Sequence, residues 1–210
     1  MQKGPLGGFT GRIGDVIGYI VNGVQYVRNA PKKRTRSVTP AQIIQRKRFS
    51  LMTKFLAPLT SFMNEVHKYH FYRKTGYSKL FSLNYREALT GQYPDFAIDY
   101  RRIRLTTGSL SGPVQMHVYC SGRGVLNFNW KDNSCDERDS SPFDLLYLAF
   151  YDEDKKIWEI RKNIALREDI FLTIHLDDHR GNLLQIYGGF ISADNRRVSN
   201  SHYLGMINVL

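Results

Sequence analysis

The hydrophobic and polar positions of this chain change texture three times along its length. In the first stretch, GDVIGYIVNGVQYV, two β-rich runs flank Asn22-Gly23, a dipeptide suited to a two-residue turn because both turn positions favour positive φ. This predicts a β-hairpin over residues 15 to 28. Gly4, Gly7, Gly8, Gly11, Gly14 and Gly18 surround it. They read either as a flexible arm or as sites where bare backbone approaches another surface closely. A two-stranded hairpin is marginal alone in water, so it is expected to lean on its own domain or on a partner.

From SVTPAQIIQRKRF onward the period becomes helical. Thr39 suits an N-cap, Pro40 the first helical position, and Gln42 the capping-box position three residues after the cap. Ile44, Leu51, Met52, Phe55, Leu59, Phe62, Met63 and Val66 then recur on one face. Pro58 is expected to kink or divide this helix. Arg48 falls within the apolar stripe, which places the start of packing after Phe49. A second helix is predicted from about Tyr77 to Leu89, with Gly91 as its terminator.

Beyond GQYPDF the pattern is that of strands: IDYRRIRL, VQMHVYC, VLNFNW, LLYLAFYD, IWEIRK, IFLTIHL, LLQIYGGFIS and HYLGMINV, separated by polar turns. Leu126, Phe128 and Trp130 alternate with Asn127 and Asn129, and Leu146, Leu148 and Phe150 share a face in the same way. Short strands so spaced predict an antiparallel β-sandwich. The fold class expected is mainly β with α, an N-terminal β-hairpin plus two helices followed by the sandwich. The expected division is residues 1–96 and 97–210.

Charge sharpens this division. The net charge is +11, but residues 1 to 104 carry 19 Lys and Arg against 5 Asp and Glu, a balance of +14, whereas residues 105 to 210 carry 11 against 14, a balance of −3. A polarised positive half favours anionic partners. The N-terminus has no uninterrupted apolar core or small-residue cleavage pattern, and no apolar run is long enough to span a bilayer. A cytoplasmic location is expected. Cys120 and Cys135 match no CxxC spacing and are expected to be reduced and structural.

The LNFNW strand, the following strand with Tyr147 and Phe150, and LQIYGGFIS leading through ADNRRVSNSHY into the last strand resemble a fibronectin type III module over about residues 98 to 210. More widely, LGGFTGRIGDVIGYIVNGVQYVRNAP, TPAQIIQRKRF, the W-x-D-N-S segment at Trp130 to Ser134 and YGGFISADNRRVSNSHYLG together resemble an uncharacterised bacterial family of about this length, catalogued as a domain of unknown function. That resemblance implies the order hairpin, helix, sandwich, and no activity.

Catalytic chemistry finds little support in the residues. His67 and His70 stand three apart, and His175 and His179 bracket two aspartates in HLDDH, yet neither pair has the Glu of HExxH or a distant CxxC. HLDDH reads as a strand end and an acidic turn. No GxSxG or phosphate-loop pattern occurs, and the paired carboxylates of CDERDSSPFD and YDEDKK fall in predicted loops. No catalytic residue, metal or cofactor is expected. The basic half carries the expectation instead: Lys32, Lys33, Arg34 and Arg36 as an extended segment, Arg46, Lys47 and Lys54 on the helix, and Lys68, Arg73 and Lys74 in HKYHFYRK, where Tyr69, Phe71 and Tyr72 offer stacking surfaces. The chain is expected to be a non-catalytic binding protein that docks on nucleic acid or another polyanion. The alternative is a structural or assembly protein, of the phage or particle-subunit kind, whose Gly-rich arm reaches neighbouring copies in a homo- or hetero-oligomer. In that case the basic segment would face acidic loops such as CDERD of another copy.

Overall fold

A computed structural model of the chain describes residues 9–21, 23–31, 37–69, 75–135 and 140–210. The chain divides into two compact units, Met1–Pro40 and Ala41–Leu210.

In the first unit, β1 (Gly11–Ile13), β2 (Val16–Val21) and β3 (Val24–Asn29) form an antiparallel sheet in chain order. Strands β2 and β3 pair from Val16 with Asn29 to Val21 with Val24, and Gly23 in the turn has φ of +77°. This is the hairpin the Asn-Gly pattern predicts, although Asn22 lies outside the described residues. At Gly18 the question of the glycines has an answer: a Cβ there would stand 2.5 Å from the Phe9 carbonyl oxygen, so bare backbone is what lets residue 9 lie against β2. Tyr19 and Tyr26 stack across the strands at 5.7 Å. Strand β3 is exposed along its whole length, and Ile13, Ile20, Val21, Val24 and Val27 are exposed too.

The second unit begins with a helical run of three pieces. Helix α1 (Pro40–Leu56) gives way to a 3-10 turn (Ala57–Leu59) and then α2 (Thr60–Val66). Pro58 sits in that turn, where a proline lacking an N–H breaks the α-helical ladder, as the sequence predicts. Packing starts at Met52: Met52, Phe55, Leu56, Leu59, Phe62, Met63 and Val66 are buried, whereas Ile44 and Leu51 are only half-buried. Helix α3 (Gly76–Glu87) starts from Thr75, whose side chain accepts a hydrogen bond from the Ser78 N–H. A short hairpin of β4 (Leu89–Gln92) and β5 (Asp95–Ile98) follows.

The segment IDYRRIRL, expected as a strand, departs from that expectation. After Ile98 it forms a 3-10 turn (Tyr100–Arg102), because Asp99 accepts from the Arg101 N–H at 3.1 Å and draws the backbone round. Seven strands then make the sandwich: β6 (Val114–Gly122), β7 (Val125–Lys131), β8 (Leu145–Asp152), β9 (Ile157–Arg161), β10 (Phe171–His175), β11 (Leu183–Ile191) and β12 (His202–Asn208). One sheet has the order β10-β7-β6 and the other β12-β11-β8-β9, the three-plus-four arrangement of a fibronectin type III sandwich.

Alternation along β8 explains the packing. Leu146, Leu148 and Phe150 face Leu126, Phe128 and Ile174 of the opposite sheet. Tyr147, Ala149 and Tyr151 point the other way, into a second core with Phe55, Leu59, Phe62 and Met63. Burial on both faces is why LLYLAFYD reads as a continuous apolar run. The Trp158 indole N–H donates to the Phe55 carbonyl at 2.8 Å, joining β9 to α1. The domain boundary expected at residue 96 therefore falls inside the second unit, since the helices share a core with the outer face of the four-stranded sheet. No described helix is long and apolar enough to cross a membrane.

Candidate nucleic-acid interface

Residues seven apart on a helix share a side, so Lys47 and Lys54 line up along α1 with Arg46 one step round. All three are exposed, and none makes an ion pair among the described residues. They border two depressions. One, of about 440 Å³, is lined by Gln45, Arg46, Phe49, Ser50, Thr53 and Lys54. The other, of about 270 Å³, lies between α1 and the β4–β5 hairpin and includes Lys47, Ser50, Lys54, Pro94 and Phe96. Ser50 and Lys54 belong to both, which makes them one continuous surface.

Aromatic rings interleave these charges. Phe49 is 53% exposed and Tyr93 47%. The Lys47 ammonium lies 4.8 Å from the centre of the Tyr93 ring, and Tyr93 meets Phe96 edge-on at 6.5 Å. Phe49 rests against Phe81 and Tyr85 at 4.9 and 6.4 Å, which fixes the direction of its ring. Arg48 behaves differently from its neighbours. Half-buried, it lies over Tyr85 at 5.3 Å and Phe96 at 5.8 Å, so its charge joins α1 to α3 and the hairpin.

Of the ten cations singled out in the sequence, the structure brings Arg46, Lys47 and Lys54 together. Lys68 is exposed just beyond α2, its ammonium 5.5 Å from the ring of Tyr69, and it borders neither depression. Lys32, Lys33, Arg34, Arg36, Arg73 and Lys74 lie outside the described residues, as do Phe71 and Tyr72. Phe49, Tyr93 and Phe96 were missed by sequence reasoning. The signals available were Phe49 directly after the basic run Arg46 to Arg48, and YPDF, a Tyr-Pro pair with Phe96 two residues on, in a short hairpin.

The histidines and buried charges elsewhere are taken up by the fold. His67 is buried with Nδ1 donating to the Met63 carbonyl at 2.8 Å and Nε2 accepting from the Thr107 N–H at 3.1 Å. His179 is buried, with Nδ1 2.7 Å from Asp152 and Nε2 2.9 Å from Glu159. Arg167 is fully buried against Asp144, and the Trp130 indole donates to its carbonyl at 2.7 Å. Arg167 also donates to Asn133, so the W-x-D-N-S segment supplies part of a structural network. Among the described residues no group of three or more His, Cys, Asp and Glu is placed to hold a metal ion. Cys120 and Cys135 are free thiols.

No curated protein matches the chain. Among solved structures, the fibronectin type III domain of the human collagen alpha-1(XX) chain is 9% identical, with a TM-score of 0.36, covering 50% of this chain and 89% of that one. A structure described as a myokine is 12% identical, with a TM-score of 0.35, covering 48% of this chain and 98% of that one. The matching family profile spans residues 8–205, and the chain belongs to DUF6266, a family of unknown function.

Proposed function

We propose that this is a non-catalytic binding protein whose basic N-terminal half docks on nucleic acid. Arg46, Lys47 and Lys54 contact phosphates, and Phe49 and Tyr93 present rings to bases. The observation that carries this reading is the interleaving of three cations, without ion pairs among the described residues, and two exposed rings on one surface of α1 and the β4–β5 hairpin. A cationic track beside aromatic platforms suits a single strand, whose phosphates pair with the charges while its bases stack. The Lys32 to Arg36 segment precedes this helix and extends the charge along the sequence.

The test is fluorescence anisotropy with labelled 20-nucleotide DNA and RNA strands. Six phosphate contacts would weaken affinity by about two to three orders of magnitude between 50 and 200 mM salt, and K47Q/K54Q would lower the salt slope by about 1.4. Absence of binding at 50 mM salt by nucleic-acid-free protein would refute the reading.

The first unit favours a second reading, assembly through the N-terminal arm. A three-stranded sheet with Ile13, Ile20, Val21, Val24 and Val27 all exposed has the surface of a segment that another chain covers. Light scattering on the parent and on a variant lacking residues 1 to 28 distinguishes the two. A salt-insensitive oligomer lost on deletion supports assembly, and a monomer in both counts against it.

A further inference from the structure

Three stretches far apart in sequence converge on a cleft of about 680 Å³ in the second unit. Arg86 and Glu87 come from the end of α3, Arg101 to Arg104 from the 3-10 turn and the run after it, and Asn200 to Tyr203 from the start of β12. Four arginines therefore border this space with one acidic residue, Glu87. Arg104 stands 3.8 Å from Glu87 and Arg102 3.2 Å from Asp99, both as solvent-exposed pairs, and such pairs are weak. Arg86 and Arg101 make no ion pair among the described residues.

The walls of the cleft are knitted by polar side chains bonded to backbone. Asn84, fully buried in α3, accepts from the Arg104 N–H at 2.8 Å and donates to the Arg104 carbonyl at 2.8 Å. The Ser201 hydroxyl accepts from the Leu105 N–H at 2.9 Å, and the Ser201 N–H donates to the Thr106 carbonyl at 3.2 Å. The backbone carrying the arginines is thereby fixed to both α3 and β12. The arginines bordering the cleft carry like charge, and an anion lying among them offsets their mutual repulsion.

We propose that this cleft binds a phosphate group. A carboxylate has two oxygens, which a single guanidinium fork satisfies, whereas the peripheral oxygens of a phosphate can engage two or more forks at once. The volume exceeds that of a bare phosphate, and the rings of His202 and Tyr203 border it, which fits a phosphate carried on a nucleoside. The cleft shares no lining residue with the α1 surface, so it stands or falls separately from the function proposed above.

The experiment is calorimetric titration of the full chain with inorganic pyrophosphate at 50 mM salt. Thermal melts confirm that each variant is folded. The parent binds saturably at one site, and affinity falls about tenfold for each guanidinium removed in R86Q and R101Q. R46Q/K47Q/K54Q binds like the parent. R86K/R101K, which keeps the charge and loses the fork, also binds more weakly than the parent. No saturable binding by the parent, or parent-like binding by R86K/R101K, overturns the site. Anisotropy with a 20-nucleotide strand identifies the carrier among supporting results. Affinity lost in R86Q/R101Q assigns the phosphate to a strand, and affinity kept there while pyrophosphate binding is lost assigns it to a free phosphate compound.

Discussion

Arg167 donates twice to one oxygen of Asp144, from Nε at 3.2 Å and Nη2 at 3.0 Å, while its guanidinium lies 4.0 Å from the centre of the Phe190 ring. Neither charge reaches water. Removing one partner breaks a buried ion pair, which costs about 3–5 kcal/mol. R167M and D144L are each expected to lower Tm by roughly 6–20 °C at about 2–4 °C per kcal/mol. The double variant recovers part of the loss, because no lone charge is then left behind. Thermal denaturation followed by circular dichroism checks this.

Acid should loosen the edge of the four-stranded sheet. Burial works to raise the Asp152 carboxyl, but hydrogen bonds from the Lys155 N–H, His179 and Asn182 outweigh it and hold the group below its ordinary 3.8. Burial opposes ionisation of Glu159 as well, and Arg161 and His179 outweigh it there, holding that carboxyl below 4.5. A carboxylate with a depressed folded pKa adds stability that is fully present above its ordinary value and is lost as pH falls toward the folded value. The gap in urea midpoint between the parent and D152N is therefore expected to be wide at pH 7 and to narrow below about pH 3.8. A gap that stays constant to pH 3 would contradict this assignment.

Asn84 tests the wall of the arginine cleft without replacing an arginine, because it bonds only the Arg104 backbone. N84A leaves the Arg104 N–H and carbonyl without the partners that now sit at 2.8 Å, a loss of about 1–3 kcal/mol. Faster hydrogen exchange at the Arg104 amide locates the effect.

Tyr93 separates binding from stability on the α1 surface. Its ring is half open to solvent and meets only Lys47 and Phe96 among the described ring contacts, so Y93A should lower Tm less than F49A while weakening single-strand binding by about 1–3 kcal/mol if a base stacks there. F49A is expected to lower Tm also, since Phe49 packs against Phe81 and Tyr85.

Much of the fold was legible because local pattern and tertiary role agree. Asn22-Gly23 announced a hairpin, Pro58 a break, and the evenly spaced β-rich runs a sandwich. Leu146, Leu148 and Phe150 were read correctly as one face of a strand, yet nothing local showed that Tyr147, Ala149 and Tyr151 would meet a helical layer. IDYRRIRL misled because its spacing imitates a strand, whereas an Asp99 hydrogen bond one residue into the run turns the backbone. The α1 cations were legible as charge. Phe49 lies on α1 among them, but Tyr93 and Phe96 come from a hairpin more than 40 positions along the chain from Lys47, and the arginine cleft draws on residues 86 to 203. Such convergence leaves no mark on a single stretch of sequence.

The two-faced burial of β8 has a further consequence. A sliding or fraying of that strand by one residue would carry Leu146, Leu148 and Phe150 out of one interior and the tyrosines out of the other in the same movement. The sandwich and its helical covering are thus expected to melt together, in one cooperative transition. Cut out alone, residues 98 to 210 would bare Tyr147, Tyr151, Tyr187 and Trp158 to water, so the sandwich is a half-structure that depends on its helices and not a freestanding bead of the kind strung in tandem.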